Sequence, residues 1–559
     1  MEQKQLLLAL GLSFLVFLIW LKFFAPAMPT KPPQSTQESS QAEPATEQKP
    51  AQPAPAVQPS PAPEVPAVVA APGKPEETRP ARSIQIQTPL YRMTLSERGA
   101  AVVSMVLEKY RETAEPDSAL KELIPQDLKG GTVLVSLSGE KDQALANALF
   151  DMDQNADHLD VKTKPATVRF RYSDPSGLQI EKTYTFQPDS YLVGLNVALH
   201  NAGSQALQDG LTMTLRTIEE AKQNAYGFEG PSGLINNKLQ QIKFKKIAEN
   251  NKIEGQIRWY AVESLYFMSS LIPKEPAKGQ MIMDYKDKLL TNQLVLPGSP
   301  IGPQQSRAYQ FNLFMGPKSL KLLRSLNNGL DRAINFGWAD FIAKPCLWFM
   351  NFIYRFIPNY GVAIIILTIV TRMMFWPLAT KSYKSMAEMR KLQPLMQELR
   401  EKYKGDKTKL NQEMMALYKT YKVNPMGGCL PMLIQLPVFL ALYSMLYQAI
   451  ELRHAPFFGW ITDLSAPDRL FHFHPSFHVP YMQPPYGIPV LTLIMGASML
   501  LQQKMTPTPG DPAQAKMMML MPIIFTVIFI NFSSGLVIYW LVGNILSMLQ
   551  QYYVQRKKA

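Results

Sequence analysis

The sequence predicts a polytopic α-helical membrane protein with six transmembrane helices, a cytoplasmic helical hairpin and a large β-sandwich domain on the far side of the membrane. Three observations carry that prediction. A nearly span-length apolar run opens the chain; residues from Ile84 to about Leu326 mix charges with short apolar runs; and from Phe336 onward Leu, Ile, Met, Phe and Trp gather into long segments with few charges. Such segregation within 559 residues, 47% of them apolar, is the pattern of a membrane protein carrying a large extramembrane domain.

The first element is expected at 1–26. Its apolar run Gln5–Phe24 follows Lys4 and carries only Lys22 near its end, while Ala25-Pro26-Ala27 has the small-x-small pattern of a cleavage site. The run therefore reads as a signal peptide or a retained anchor, and its length together with Pro26 favours the anchor. No cysteine lies near its end, so lipid attachment there is excluded. Residues 27–82, rich in Pro, Ala, Gln, Glu and Ser, cannot bury enough apolar surface to offset their ordering entropy and should form a stiff tether.

Residues 83–335 read mainly as strands. Val168, Phe170 and Tyr172 alternate with Arg169 and Arg171; Ile180, Lys182, Tyr184 and Phe186 continue after a Pro-Ser-Gly turn; Val193, Leu195, Val197 and Leu199 alternate again. Period-two segments joined by Gly, Asn and Pro turns predict antiparallel sheets packed face inward as a large sandwich. Lys318–Ile334 reads as a helix, with Leu322, Leu323, Leu326 and Leu330 on one side, leading the chain back to the membrane. At 336–358 the apolar stretch Phe341–Ile357 is divided by Lys344, Pro345, Asn351 and Arg355, which suits a helix lying in the membrane interface.

A core at 359–554 should hold five further spans: Tyr360–Leu378, Cys429–Ala449, Gly487–Gln503, Met517–Phe532 and Gly535–Gln551. Thr380–Gly428 carries eleven Lys or Arg against five Asp or Glu, and the tail at 555–559 contains Arg556, Lys557 and Lys558. Both are therefore expected on the cytoplasmic side, which with six spans leaves both termini cytoplasmic and the sandwich outside. Much of the net charge of +13 thus serves topology, which weakens a nucleic-acid reading. Within 380–425, Met389, Leu392, Met396, Leu399 and Tyr403, then Leu410, Met414, Leu417 and Tyr421, recur at spacings of three and four around the polar turn Lys404–Lys409. Two amphipathic arms should pair as a hairpin, with Pro394 kinking the first, and Met389, Met396, Met414 and Met415 available as adaptable apolar contacts.

Arg372 is the most informative residue. It lies about 9 Å inside its span, counted back from Leu378 at 1.5 Å per residue. Gln435, Ser498 and Asn544 fall at similar distances from the cytoplasmic ends of their own spans, so four helices place polar groups at one level. None of the five spans contains Asp or Glu, so water, lipid phosphate or a visiting acidic segment must solvate the cation. A hydrated recess open to the cytoplasmic half of the bilayer meets that need, with Tyr539 nearer the outer side.

No catalytic or metal arrangement emerges. His158 and His200 read as isolated surface residues; His472, His474 and His478 stand closer together but in a Pro-rich stretch without a neighbouring cysteine. No phosphate-binding Gly-rich loop is present, and the two cysteines, Cys346 and Cys429, sit in apolar surroundings. The chain is therefore expected to work without a cofactor. Two other functions stay open on these residues: a transporter or channel using the polar level, opposed by the missing inverted repeat and coupling acid, and a scaffold whose sandwich captures other proteins.

The span holding Arg372, followed by Asn424-Pro425-Met426-Gly427-Gly428-Cys429-Leu430-Pro431 and Gln435-Leu436-Pro437-Val438-Phe439, resembles the YidC/Oxa/Alb family; Leu464-Ser465, Gln503-Lys504-Met505 and Pro522-Ile523-Ile524-Phe525 extend the likeness. The anchor, linker and external domain look like the Gram-negative form. This resemblance implies a membrane protein insertase and folding chaperone, not an enzyme, in the bacterial inner membrane, with a periplasmic β-supersandwich. Its implied partners are nascent inner-membrane proteins, the Sec translocon, phospholipids, and the ribosome with the signal recognition particle or its receptor. By the same likeness Arg372 matches the family's groove arginine, and Thr368, Gln435 and Tyr539 match groove-facing positions, beside Ser498 and Asn544 from the depth count. The short basic tail weakens the case for independent ribosome binding.

Overall fold

The computed structural model describes residues 79–115, 117–137, 142–207, 210–219, 227–421, 423, 430–473, 479, 481–505 and 512–556. The expected anchor, nearly all of the linker, the Asn424–Cys429 motif, His474, His478, Lys557 and Lys558 lie outside the described residues.

Two sheets make up the described residues of the N-terminal part. The larger has thirteen strands, and its central ladder runs Ala166–Ser173, Leu178–Phe186, Leu192–Asn201, Ser306–Pro317, Phe267–Pro273 and Lys252–Glu263, all antiparallel. The sequence alternation becomes an alternation of burial: along Leu178–Phe186 every second side chain is buried, including Ile180, Lys182, Tyr184 and Phe186. The smaller sheet has five strands, with Ser83–Gln87 paired antiparallel to Tyr91–Ser96 and parallel to His158–Asp160. The two meet through apolar and aromatic side chains: Tyr91 stacks on Tyr191, which lies edge-on to Phe314. A short helix, α1 (Asp142–Asn147), packs on the strand Leu134–Leu137.

The segment Lys318–Ile334 departs from expectation. It is not one helix but a six-residue helix, α2 (Leu320–Ser325), and a short 3-10 turn, Leu330–Ala333. The intervening Asn-Asn-Gly explains the break, since Asn327 and Gly329 both take left-handed backbone conformations that end a right-handed helix.

Eight α-helices follow among the described residues, and four of them set up the candidate site. α3 (Asp340–Tyr354) buries Ala343, Leu347 and Met350 toward α4 (Tyr360–Lys391) and α7 (Leu430–Gln448), and leaves Phe341, Trp348 and Phe352 exposed. α5 (Gln393–Lys402) and α6 (Lys407–Thr420) pack on one another across a short polar turn. Pro394 does not sit in the middle of a helix: α4 runs 32 residues to Lys391, Leu392 separates it from α5, and Pro394 occupies the first turn of α5, where its missing N–H leaves no bond unmade. α8 (Val490–Met505), α9 (Pro512–Phe529) and α10 (Ser534–Arg556) complete the bundle, with α10 lying along α4 and α8.

Among the described residues, one helix, α4, is long and apolar enough to cross a membrane by length and composition. The 16 residues of α8 reach about 24 Å against an apolar core of about 30 Å.

Candidate functional site

Arg372 projects from α4 toward α7 and α10. Its Nη1 donates a hydrogen bond of 3.0 Å to Oε1 of Gln435 on α7. Its Nη2 lies over Gly543 of α10, only 2.8 Å from where a Cβ at that position would stand. Tyr539, one turn before Gly543, is buried beside Gln435, so the three helices converge on one cation and one amide. Among the described residues no carboxylate pairs with Arg372, and the five expected spans contribute none. A half-buried guanidinium with five donors thus keeps hydrogen-bonding capacity to spare.

The other expected residues divide by role. Asn544 donates to the Ser498 hydroxyl at 3.1 Å, and Ser498 donates in turn to the Met495 carbonyl; both side chains are buried and clamp α10 to α8. Thr368 is fully buried and its hydroxyl returns to the Ile364 carbonyl one turn back. The polar level therefore resolves into two pairs, Arg372–Gln435 and Ser498–Asn544, joined by the adjacency of Gly543 and Asn544 on α10.

Sequence reasoning passed over the lower half of this face. Ser547 donates to the Gly543 carbonyl at 2.9 Å; Gln550 donates to the Trp376 carbonyl and the Thr380 hydroxyl; Gln551 caps the end of α8 by donating to the Met505 carbonyl at 2.8 Å. Tyr539, Gly543, Ser547, Gln550 and Gln551 recur at helical spacing, all buried, on an otherwise apolar helix. That periodicity was the available signal, but the reading of Gly535–Gln551 rests on its apolar content and depth alone.

In the helical pair, Met396 is buried in the seam, where its sulfur accepts from the Tyr418 hydroxyl, while Met389, Met414 and Met415 are half-buried. Leu395, Leu399, Ala416 and Leu417, flanked by Glu398 and Glu413, line a groove of ≈ 360 Å³ between the two helices. Of the histidines, His158 meets Asp160 and His200 meets Ser306 at the surface, and His472 is exposed. Cys346 is a half-buried free thiol that burial pushes up to about 11.

Known proteins place this architecture. The family model described as the 60Kd inner membrane protein matches residues 352–559, and that of the YidC periplasmic domain matches residues 83–349. The chain is similar to the membrane protein insertase YidC of Syntrophobacter fumaroxidans, at 41% identity over 99% of this chain and 100% of that one. It is similar to the YidC of Syntrophus aciditrophicus, at 40% identity over 99% of both. The YidC of Geobacter sulfurreducens shares 39% identity over 99% of this chain and 98% of its own.

Proposed function

We propose that this chain, which belongs to the YidC family of membrane protein insertases and so inserts and chaperones proteins of the bacterial inner membrane without enzymatic chemistry, works through a polar recess centred on Arg372. The observation that carries this reading is a permanent cation held at 3.0 Å by a neutral amide, with donors to spare and no acidic partner among the described residues. Burying a charge in that way is costly unless something polar visits it.

In this mechanism the short hydrophilic tail of an incoming protein enters from the cytoplasmic side and gives up only part of its hydration. Its carboxylate pairs with Arg372 in place of the Gln435 amide, which shortens the polar path left to cross. The apolar helix that follows then slides into lipid, where burial supplies roughly 0.8 kcal/mol per CH₂. The membrane potential assists the outward movement of negative charge by about 2.3 kcal/mol per charge per 100 mV. Thr368, Gln435, Ser498, Tyr539 and Asn544 shape the recess; on their present bonding, Gln435 and Tyr539 meet the substrate, Ser498 and Asn544 hold two of the helices that frame it, and Thr368 turns back onto its own helix.

The wider arrangement belongs to the same proposal. Six spans, counting the expected anchor at 1–26, leave both termini in the cytoplasm and the periplasmic sheets as a closed supersandwich. The basic segment 380–425 forms a cytoplasmic hairpin whose Met389, Met414 and Met415 meet apolar substrate, with Met396 holding its seam. The Sec translocon, the ribosome, the signal recognition particle or its receptor, and phospholipids are its further partners.

Reconstitution of the purified chain without nucleotide tests the site. Protease protection of a short, acidic-tailed membrane protein should fall by roughly tenfold or more in Arg372→Ala, the weight of one charge-assisted contact, and by less in Arg372→Lys. Equal protection in protein-free liposomes would overturn the reading.

A further inference from the structure

We propose that Gly543 is a positioning residue, the seat that holds the Arg372 guanidinium against α10 and keeps it aimed along the recess; this rests on the function proposed for Arg372. The three atoms nearest to a Cβ built on Gly543 all belong to that one group: Nη2 at 2.8 Å, Nε at 3.5 Å and Cζ at 3.6 Å. Beyond its two chain neighbours and the backbone of its own helix, no other atom comes as close. The backbone at Gly543 is ordinary right-handed helix, so conformation alone does not call for glycine. Inside a helix glycine is less favourable than alanine, and the room it leaves here is filled by the guanidinium.

What gives way when that room is filled follows from the bonding around it. The Gly543 carbonyl is engaged by Ser547 at 2.9 Å, and the next residue, Asn544, is pinned to Ser498 at 3.1 Å. Below them, Gln550 ties α10 to α4 through the Trp376 carbonyl and Gln551 ties it to α8 through the Met505 carbonyl. The α10 backbone is held on both flanks, whereas the guanidinium is the free end of a flexible side chain. A methyl group at position 543 therefore moves the cation and spares the helix. It also takes the cation away from Gln435, because Nη1 and Nη2 belong to one rigid plane.

Four variants separate the possibilities: Gly543→Ala, Arg372→Lys, the two combined, and Arg372→Ala as the control for the site. Each is reconstituted as the full chain and given the same membrane protein with an acidic or a neutral tail. Gly543→Ala should slow insertion of the acidic-tailed substrate by about five- to tenfold, the weight of a displaced charge-assisted contact, and leave the neutral-tailed one near the parent rate. Adding Gly543→Ala to Arg372→Lys should cost nothing more, because a compact ammonium carries no planar fork to collide. Parent-rate insertion of the acidic tail by Gly543→Ala, with Arg372→Ala inactive, would overturn the seat and leave the site standing. Parent-rate insertion by Arg372→Ala removes the site itself. Equal loss for both tails, or failure of both alanine-543 proteins to accumulate, assigns Gly543 to helix packing and overturns the proposal.

Discussion

A lysine on the inward face of a strand must find acceptors, and Lys182 finds them in backbone. Its ammonium donates to the Ala100 carbonyl at 2.8 Å and to the carbonyls of Val133 and Gly99, beside the Tyr184 hydroxyl, which shares Ala100. Complete burial pushes it down to about 7 from its usual 10.5, against the pull of those acceptors. The unfolded chain then holds this proton between about pH 7 and 10.5 while the folded chain has released it, so sheet stability rises with pH through that window. For one group the slope is at most about 1.4 kcal/mol per pH unit, and below pH 7, where both states are charged, it disappears. The urea midpoint of the full chain, followed by the strand signal in circular dichroism, should climb from pH 7 to 9, and Lys182→Met should abolish that climb whatever it does to the midpoint. An unchanged slope in the variant means the proton belongs elsewhere. At this scale the sequence was half legible: alternation put position 182 on the inner face, but its acceptors come from loops some 50 to 80 residues earlier, which no local pattern reveals.

Elements were easier to read than their ends. Long apolar runs announced α4 and α7 to α10 because burial or lipid must cover them, and period-two runs announced the strands because each pleat has one inner face. The junctions followed rules of lower contrast: a spacing of three and four ran through Leu392 although the helix divides there, and an apolar stripe ran across Asn327-Asn328-Gly329 although the backbone turns left-handed. Which polar groups of the deep layer would meet was not legible at all, since depth follows from counting but rotation about each helix axis follows from packing. The start of α6 offers a test at this scale. The Asp406 carboxylate accepts from the Lys409 backbone N–H at 3.0 Å, an N-cap that favours the first turn after the polar loop. Asp406→Ala should cost about 1 kcal/mol, seen as roughly fivefold faster amide hydrogen exchange across the first turn of α6 with no change in α10. Uniform exchange in the two proteins would mean that water caps this turn equally well.

For the whole molecule, the decisive question is how a domain with eighteen strands among its described residues is held to a helical bundle through the connector 318–339. Arg453, just beyond α7, reaches the small sheet: it donates to the Arg111 carbonyl at 2.6 Å and to the Glu112 carbonyl at 3.0 Å, with its guanidinium 5.4 Å from the ring of Phe267 and 5.8 Å from that of Tyr266. Around it the Tyr266 hydroxyl donates to the Tyr447 carbonyl and the Ser319 hydroxyl to Glu451, whose carboxyl burial pushes upward. One side chain thus bridges both sheets and the bundle, and its contacts are charge-assisted or cation–π, each worth about 0.5–3 kcal/mol. Arg453→Ala removes them together and leaves every strand and helix its own bonds. The expected outcome is a domain that still folds but rocks on its connector: a broadened distance distribution between spin labels on the large sheet and the outer end of α7, and faster proteolysis near the exposed Trp338. Insertion of a short-tailed substrate should persist, because Arg372 and Gln435 share no contact with this joint. A distribution as narrow as the parent's would show that the Tyr266–Tyr447 and Ser319–Glu451 hydrogen bonds fix the domain without the cation, and that Arg453 only decorates a joint already closed.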